Sequence, residues 1–343
     1  MEVQDWIESS IRVFFCFTGI IGNFWLGLRS LPKSRSQVRT GDILFINLAV
    51  SNLITNCLVD LPEFMSHFVK SWITSTVYCG LIQFCHEISE TSSIFTTMFI
   101  SMYWHQKLVG SIKRGGAPVQ MDSLRLVAML LCGSWSVALL FSTPHIFIAE
   151  HDGNQSFKVC EERFPTPAEK KTFDALYLTL ANVVPIIGIN YASIQIAITL
   201  LRSQKRINDQ SKGNRSGTNV NVFPQRAEGT SQRSLKSSRD EGAWSSSKTV
   251  KTATNLKTQP IQQTQVRSSP SSNNQMRAAK SVLAVATIFL FCWFTHLVLR
   301  IYSSFNLSSV LAVKLTNFIG ASYLCFVPYV YLHGVKKLNC SCL

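Results

Sequence analysis

No base occurs among the first ten residues, where Glu2, Asp5 and Glu8 stand instead. A cleaved secretory leader opens with positive charge, so the first apolar run is expected to stay in the protein as a membrane anchor. None of the ten cysteines has zinc spacing with a partner. Six of them (Cys16, Cys57, Cys85, Cys132, Cys292 and Cys325) lie inside long apolar runs, where a thiol behaves as a small hydrophobe. A disulfide-stapled scaffold and a zinc framework are thereby excluded. The chain also lacks G-x-S-x-G, P-loop and dinucleotide fingerprints. His86-Glu87-Ile88-Ser89-Glu90 approaches H-E-x-x-H, but Glu90 stands where the second metal-binding histidine is needed. No catalytic constellation is complete, so no enzyme, metal centre or cofactor is expected. No internal repeat links the apolar segments, which argues against an inverted-repeat transporter.

What the chain does have is apolar length. Hydrophobic residues make up 46% of it and the mean hydropathy is +0.17. The net charge of +14 resembles that of a nucleic-acid binder until it is mapped. Of the 33 basic residues, 15 fall between 202 and 280, among 14 serines and with almost no apolar periodicity. Such a stretch cannot bury a core and is expected to be a disordered, basic linker beside a membrane, with no nucleic-acid partner.

About 20 mainly apolar residues are needed to cross a bilayer. Seven such runs are present, at residues 11–31, 43–68, 82–108, 124–148, 176–201, 281–302 and 310–332. The third and seventh are the least clean, because Glu87, Glu90 and Lys314 interrupt them. The expected fold is all-α, a seven-transmembrane helix bundle. Its parts are an extracellular N-terminus at 1–10, five helices and their loops at 11–201, and a third cytosolic loop at 202–280. Two further helices at 281–332 and a cytosolic tail at 333–343 complete it. With the N-terminus outside, the cytosolic segments hold 25 bases and 6 acids, and the outer ones 8 bases and 13 acids. That asymmetry satisfies the positive-inside rule. Five or six spans would put the basic linker and Lys336–Lys337 on opposite sides.

Several residues then fall in a meaningful order. They are Gly22–Asn23 in the first run, Asn47-Leu48-Ala49-Val50-Ser51-Asn52-Leu53 in the second, Cys79 at the head of the third and Trp135 within the fourth. Pro185 interrupts the fifth, Phe289-x-x-Cys292-Trp293 lies in the sixth, and Pro328-Tyr329-Val330-Tyr331 closes the seventh. This series resembles the landmarks of rhodopsin-like G-protein-coupled receptors in every span, omitting only the linker. The departures are specific: Tyr103-Trp104-His105 replaces Asp-Arg-Tyr, Asn52 a carboxylate, Thr295 a proline, and Val327 the asparagine before Pro328. Together with Ser134-Trp135 and Leu140-Phe141-Ser142-Thr143-Pro144-His145, they resemble the vomeronasal type-1-like branch with its fish olfactory "ora" members.

The resemblance implies a receptor for a small odorant or pheromone-like ligand, coupled to a heterotrimeric G protein in the plasma membrane. A receptor for another small ligand or a peptide, or a seven-span transporter, stays open beside it. Cys79 and Cys160 fall on the outer face and are expected to form a disulfide, the alternative being two unrelated thiols. Asn154, in Asn154-Gln155-Ser156, is a glycan acceptor candidate. Cys340 and Cys342 are palmitoylation candidates or plain tail thiols.

The strongest functional signal is His86, Glu87 and Glu90, about 12 to 16 Å along a helix below Cys79. A carboxylate at that depth is costly unless it faces water, a partner or a cavity. These three residues, with His296, Arg300 and Lys314 from the sixth and seventh runs, are expected to line a ligand pocket with Asp60 and Glu63 at its rim. An internal ion-pair network without ligand is the alternative. Phe289, Trp293, Pro328, Tyr331 and Trp104 are the candidates for coupling that pocket to the cytosolic face, set against ordinary helix packing.

Overall fold

The computed structural model of the chain describes residues 3–32, 34, 38–66, 76–113, 119–151, 160–216, 270–304 and 310–334. Helix α1 covers Val3–Ser30 and α2 Thr40–Ile54, the latter continuing through a π-helical turn Thr55–Asp60 into α3, Leu61–Ser66. Helix α4 is the longest at 38 residues, Thr76–Lys113. A 3-10 turn, Gln120–Asp122, leads into α5, Leu124–Ser142, and the short α6, His145–Ile148. Strands β1 (Ala149–His151) and β2 (Cys160–Glu162) pair antiparallel, with Ala149 opposite Glu162 and His151 opposite Cys160. Helix α7, Pro167–Tyr177, passes through a second π-helical turn, Leu178–Val183, into α8, Val184–Ser216. Helices α9 (Pro270–Ser304) and α10 (Val310–Gly334) follow. Among the described residues each of the seven apolar runs is therefore helical, while α7, the 3-10 turn and the small β-ribbon were not announced by apolar runs.

Five helical segments are long and apolar enough to cross a membrane: Ser10–Ser30, Thr40–Glu63, Leu124–Ile148, Pro167–Arg206 and Met276–Thr295. Helices α4 and α10, the two whose runs carry internal charge, have the length: 25 residues of α10 rise about 37 Å. Helix α8 continues past its apolar run to Ser216, and α9 begins at Pro270, ahead of its run. Backbone hydrogen bonding carries a helix beyond the stretch that lipid requires to be apolar. The basic segment is thus entered and left in helix, while residues 217–269 lie outside the described ones. The chain divides into two units, Met1–Gln204 with Ser269–Leu343, and Lys205–Ser268. Everything below concerns the first.

Both π-helical turns have a cause in the sequence. Each ends two residues before a proline, Asp60 before Pro62 and Val183 before Pro185. A proline donates no N–H and its ring pushes against the carbonyl four residues back, so the preceding turn widens. Each wide turn buries an asparagine, Asn56 and Asn182. Helix α7 starts on a capping box: Pro167 holds the first position, and Thr166 Oγ1 accepts from the Glu169 N–H at 3.2 Å.

The distribution of side chains is inverted relative to a soluble protein. Phe147 (81% exposed), Phe291, Phe294 and Leu140 point outward. Asn23, Asn52, Ser92, Ser93, Thr96 and Thr97 are shielded inside. Lipid accepts the apolar exterior, and the interior supplies the hydrogen-bond partners that lipid cannot. The apolar core runs between α2, α4, α8, α9 and α10, with Leu48, Ile100, Ile189, Val282 and Phe289 fully enclosed. Helix α1 packs on α2 and α10, and Gly22 permits it: a Cβ there would stand 2.8 Å from the Tyr329 ring and 2.9 Å from Pro328.

Candidate functional site

The outer end of α4 is pinned first. Cys79 and Cys160 are bonded, with Cα atoms 5.4 Å apart, so β2 is fastened to the head of α4. Strand β1 packs on α4 as well. Gly80 makes room for α6, because a Cβ there would lie 2.9 Å from the Ile146 carbonyl oxygen. The ribbon and α6 together fix where α4 begins, and therefore the depth of every residue along it.

Two turns further in, His86 Nδ1 lies 3.4 Å from Glu90 Oε2 and 4.0 Å from Glu87 Oε1. Helical spacing of four and three residues brings these groups to neighbouring positions on α4. Glu87 is 4% exposed, whereas the His86 side chain is 41% exposed and forms the open edge of the group. The first π-helical turn carries Asp60 into electrostatic reach of His86, Arg12 and Glu63. Arg12 of α1 binds Glu63 at 3.3 Å and stands over the Phe318 ring of α10, 5.5 Å from its centre. One cation thereby ties α1, α3 and α10 together at their outer ends. Sequence reading passed over Arg12; the available signal was a lone base near the start of an apolar run.

His86, Glu87 and Glu90 lie together on α4, with Asp60 on the first π-helical turn and Glu63 on α3. His296, Arg300 and Lys314 belong to α9 and α10, and their side chains lie outside the described residues. Asn154, Cys340 and Cys342 also lie outside them. One further residue escaped the sequence reading. Asn182 is 1% exposed, and neither its amide nitrogen nor its carbonyl oxygen has a hydrogen-bond partner among the described residues. The turn that carries Asn182 packs on α4. The proline at 185 was the signal that could have marked it.

Below this level the polar groups are neutral and bonded to each other. Asn23 donates to the carbonyls of Gly19 (2.9 Å) and Leu324 (3.2 Å). Asn52 donates to Asn23 Oδ1 at 2.9 Å and accepts from Ser93 at 2.9 Å. Ser51 meets Ser92 at 2.8 Å, Thr55 donates to Ser89 at 2.8 Å, and Asn47 donates to Thr96 at 2.6 Å and accepts from Trp135 at 3.0 Å. Where the family's relatives are expected to hold a carboxylate, Asn52 is satisfied by two uncharged neighbours. The serines and threonines of α4 that complete this ladder were not singled out in the sequence, since small hydroxyl residues are common in membrane helices.

The coupling candidates fall into two groups. Phe289 is fully buried, 5.7 Å from the Trp293 ring and 5.3 Å from that of Tyr323, and the Tyr323 hydroxyl meets Thr97 of α4 at 3.0 Å. An aromatic train therefore runs from α9 to α10 and ends on the polar ladder. Tyr331 packs on Phe45 at 4.9 Å, and its hydroxyl has no hydrogen-bond partner among the described residues. Trp104 is buried at the inner end of α4, beside Tyr103, with the Lys107 ammonium 5.4 Å from its ring centre. Lys107 also donates to the Tyr103 hydroxyl at 2.9 Å. Across the bundle, Arg277 donates to the His333 carbonyl at 2.7 Å and Ser281 to that of Val330 at 2.6 Å, closing α9 on α10. A cavity of about 510 Å³ opens beside these contacts, lined by Arg277, Lys280, Tyr329 and His333 among others.

Comparison with known proteins adds to this geometry. The profile described as 7 transmembrane receptor (rhodopsin family) matches residues 28–335. Neuropeptide Y receptor type 6 of Mus musculus is 24% identical over 217 residues, 59% of this chain and 56% of its own length. C-C chemokine receptor type 7 of Homo sapiens is 23% identical over 59% of this chain and 52% of its own. Taste receptor type 2 member 9 of Homo sapiens is 22% identical over 57% of this chain and 64% of its own. The chain spans about half the length of the first two of these relatives.

Proposed function

Because the chain belongs to the rhodopsin family of seven-transmembrane receptors, a multi-pass family of the plasma membrane, we propose that it is a chemosensory receptor binding a small odorant or pheromone-like molecule in the outer half of its bundle. The observation that carries this reading is the partly buried His86–Glu87–Glu90 group beneath the Cys79–Cys160 bridge. Carboxylates placed this deep in a membrane helix mark a site. Their burial suits a small ligand that enters the bundle better than a peptide that lies on its rim. The unpartnered Asn182 amide is a second polar group that such a ligand would complete, since a buried amide without a hydrogen bond is costly. In this reading His296, Arg300 and Lys314, which belong to α9 and α10, are further candidates for ligand contact.

The resemblance to the vomeronasal type-1-like branch, and the similarity to a taste receptor, favour a chemosensory ligand. Similarity to neuropeptide Y and chemokine receptors favours a peptide ligand as the second reading. In the proposed mechanism the ligand binds better to one of two arrangements of the bundle, and that difference in affinity is all the energy the switch requires. The signal passes through Trp293, Phe289 and Tyr323 to the ladder on α4, and through Pro328 and Tyr331 to the inner ends. There a heterotrimeric G protein meets a face that carries Lys107, beneath which the buried Trp104 stands in place of the usual arginine. A Cys79–Cys160 disulfide is favoured in an oxidising compartment, which supports the reading with the N-terminus outside.

The test is a cell-based G-protein activation screen with amines, carboxylates, bile-acid-like and steroid-like compounds, run beside a panel of peptides. Activation by a small organic compound that weakens at least tenfold in Glu90→Gln supports the reading. Activation by peptides alone replaces it with the second.

A further inference from the structure

The His86–Glu87–Glu90 group has a geometry that the missing second histidine of H-E-x-x-H had hidden. One nitrogen or oxygen donor from each residue lies within 4.8 Å of the others. Two donors bound to zinc at about 2.0–2.1 Å and at the tetrahedral angle are roughly 3.4 Å apart. The His86 Nδ1 to Glu90 Oε2 distance is 3.4 Å, and a rotation of the Glu87 side chain from 4.0 Å would close the set, which now spans up to 4.8 Å. We infer that His86, Glu87 and Glu90 form a site for a divalent transition-metal ion of the zinc class in the outer half of α4.

Three independent considerations support it. Imidazole with carboxylates is a donor set suited to zinc, whereas magnesium and calcium prefer oxygen alone. Glu87 and Glu90 bring two carboxylates to the same part of α4, where one dication would bind both. Thr91, fully buried and one turn beyond Glu87 on the same face, has a hydroxyl with no hydrogen-bond partner among the described residues. A water completing the ion's coordination would bond to that hydroxyl, as outer-shell groups do around protein-bound metals. With three protein donors the ion keeps a position open, and the exposed edge at His86 faces it. The inference rests on the ligand-site reading above to this extent: a small ligand with a carboxylate, thiol or amine would bind directly to the ion.

The test uses the full chain, purified in lipid nanodiscs without organic ligand and titrated with Zn2+ by calorimetry, then with Co2+ followed by visible absorption. One Zn2+ per chain is expected, with affinity falling at least about tenfold in both Glu90→Gln and His86→Ala. Low-coordinate Co2+ bands should appear in the parent and vanish in both variants, while His333→Ala, at the other end of the bundle, leaves them unchanged. Glu90→Gln keeps the shape of the side chain, and an unaltered melting temperature shows that it folds. Absence of stoichiometric binding, or binding undiminished in both variants, overturns the site. If the metal fails while a small organic ligand still activates a G protein through Glu90, only the metal site falls. If Zn2+ binds and nothing activates a G protein, the receptor function falls and the metal site stands.

Discussion

The outer and middle thirds of the bundle treat polar groups in opposite ways. Around His86, the groups are ionisable, drawn from α1, α3 and α4, and arranged about an open edge. Around Asn52 they are neutral amides and hydroxyls, enclosed and bonded to one another across α1, α2, α4 and α10. Charge is costly to enclose and valuable to a ligand, whereas a closed neutral network stabilises helix packing without inviting one. The comparison separates a site from its framework. Substitutions in the framework should cost stability, and substitutions in the site should cost response.

The largest stability effect is expected where β2 is fastened to the head of α4, above both regions. Cys79→Ser opens a loop of sequence separation 81, and loop-closure entropy sets the loss at about 4 kcal/mol. Surface expression should collapse in that variant, read by antibody staining of intact cells. Asn52→Leu removes two interhelical hydrogen bonds and strands the Asn23 carbonyl and the Ser93 hydroxyl, for about 2 kcal/mol. A melting temperature lowered by several degrees in detergent is the expected result. Should Asn52→Leu melt like the parent, the middle third is no framework. Thr97→Val removes one interhelical contact, that with Tyr323, for about 0.6 kcal/mol, along with the bond to the Ser93 carbonyl within α4, and should raise basal signalling or blunt ligand efficacy more than it lowers melting. Glu90→Gln closes the series: melting unchanged, ligand potency shifted by at least about tenfold. Equal loss of stability and response in Glu90→Gln would erase the contrast between the regions.

Much of the fold was legible because lipid imposes a simple rule. Seven apolar runs became helices, and α4 and α10, the two with charged interruptions, were already marked as atypical. The β1–β2 ribbon was not legible: three residues per strand leave no periodicity to read. The proline rule for π-helical turns was partly legible, since Pro185 was noted as an interruption while Pro62 and the burial of Asn56 and Asn182 were not. In the candidate site, His86, Glu87 and Glu90 could be found because charge in an apolar run is conspicuous. Arg12 was equally conspicuous in composition but sat at the edge of its run, where a base near a headgroup draws no attention. The Ser and Thr ladder of α4 could not be found, because hydroxyl residues in a helix are informative only once their neighbours are known.

From the sequence alone came seven apolar spans with their approximate extents, and a resemblance to the receptor family. The spans follow from the free energy of moving side chains between water and lipid, which each segment expresses by itself, and the family from landmark residues that resemble it. Only the tertiary structure decided partners: that Asn52 bonds to Asn23 and Ser93, that Arg12 reaches Glu63, that Gly80 admits Ile146, and that three donor atoms on α4 converge within 4.8 Å. Hydrogen bonds and ion pairs depend on ångström distances between residues from different segments, and no single segment carries that information.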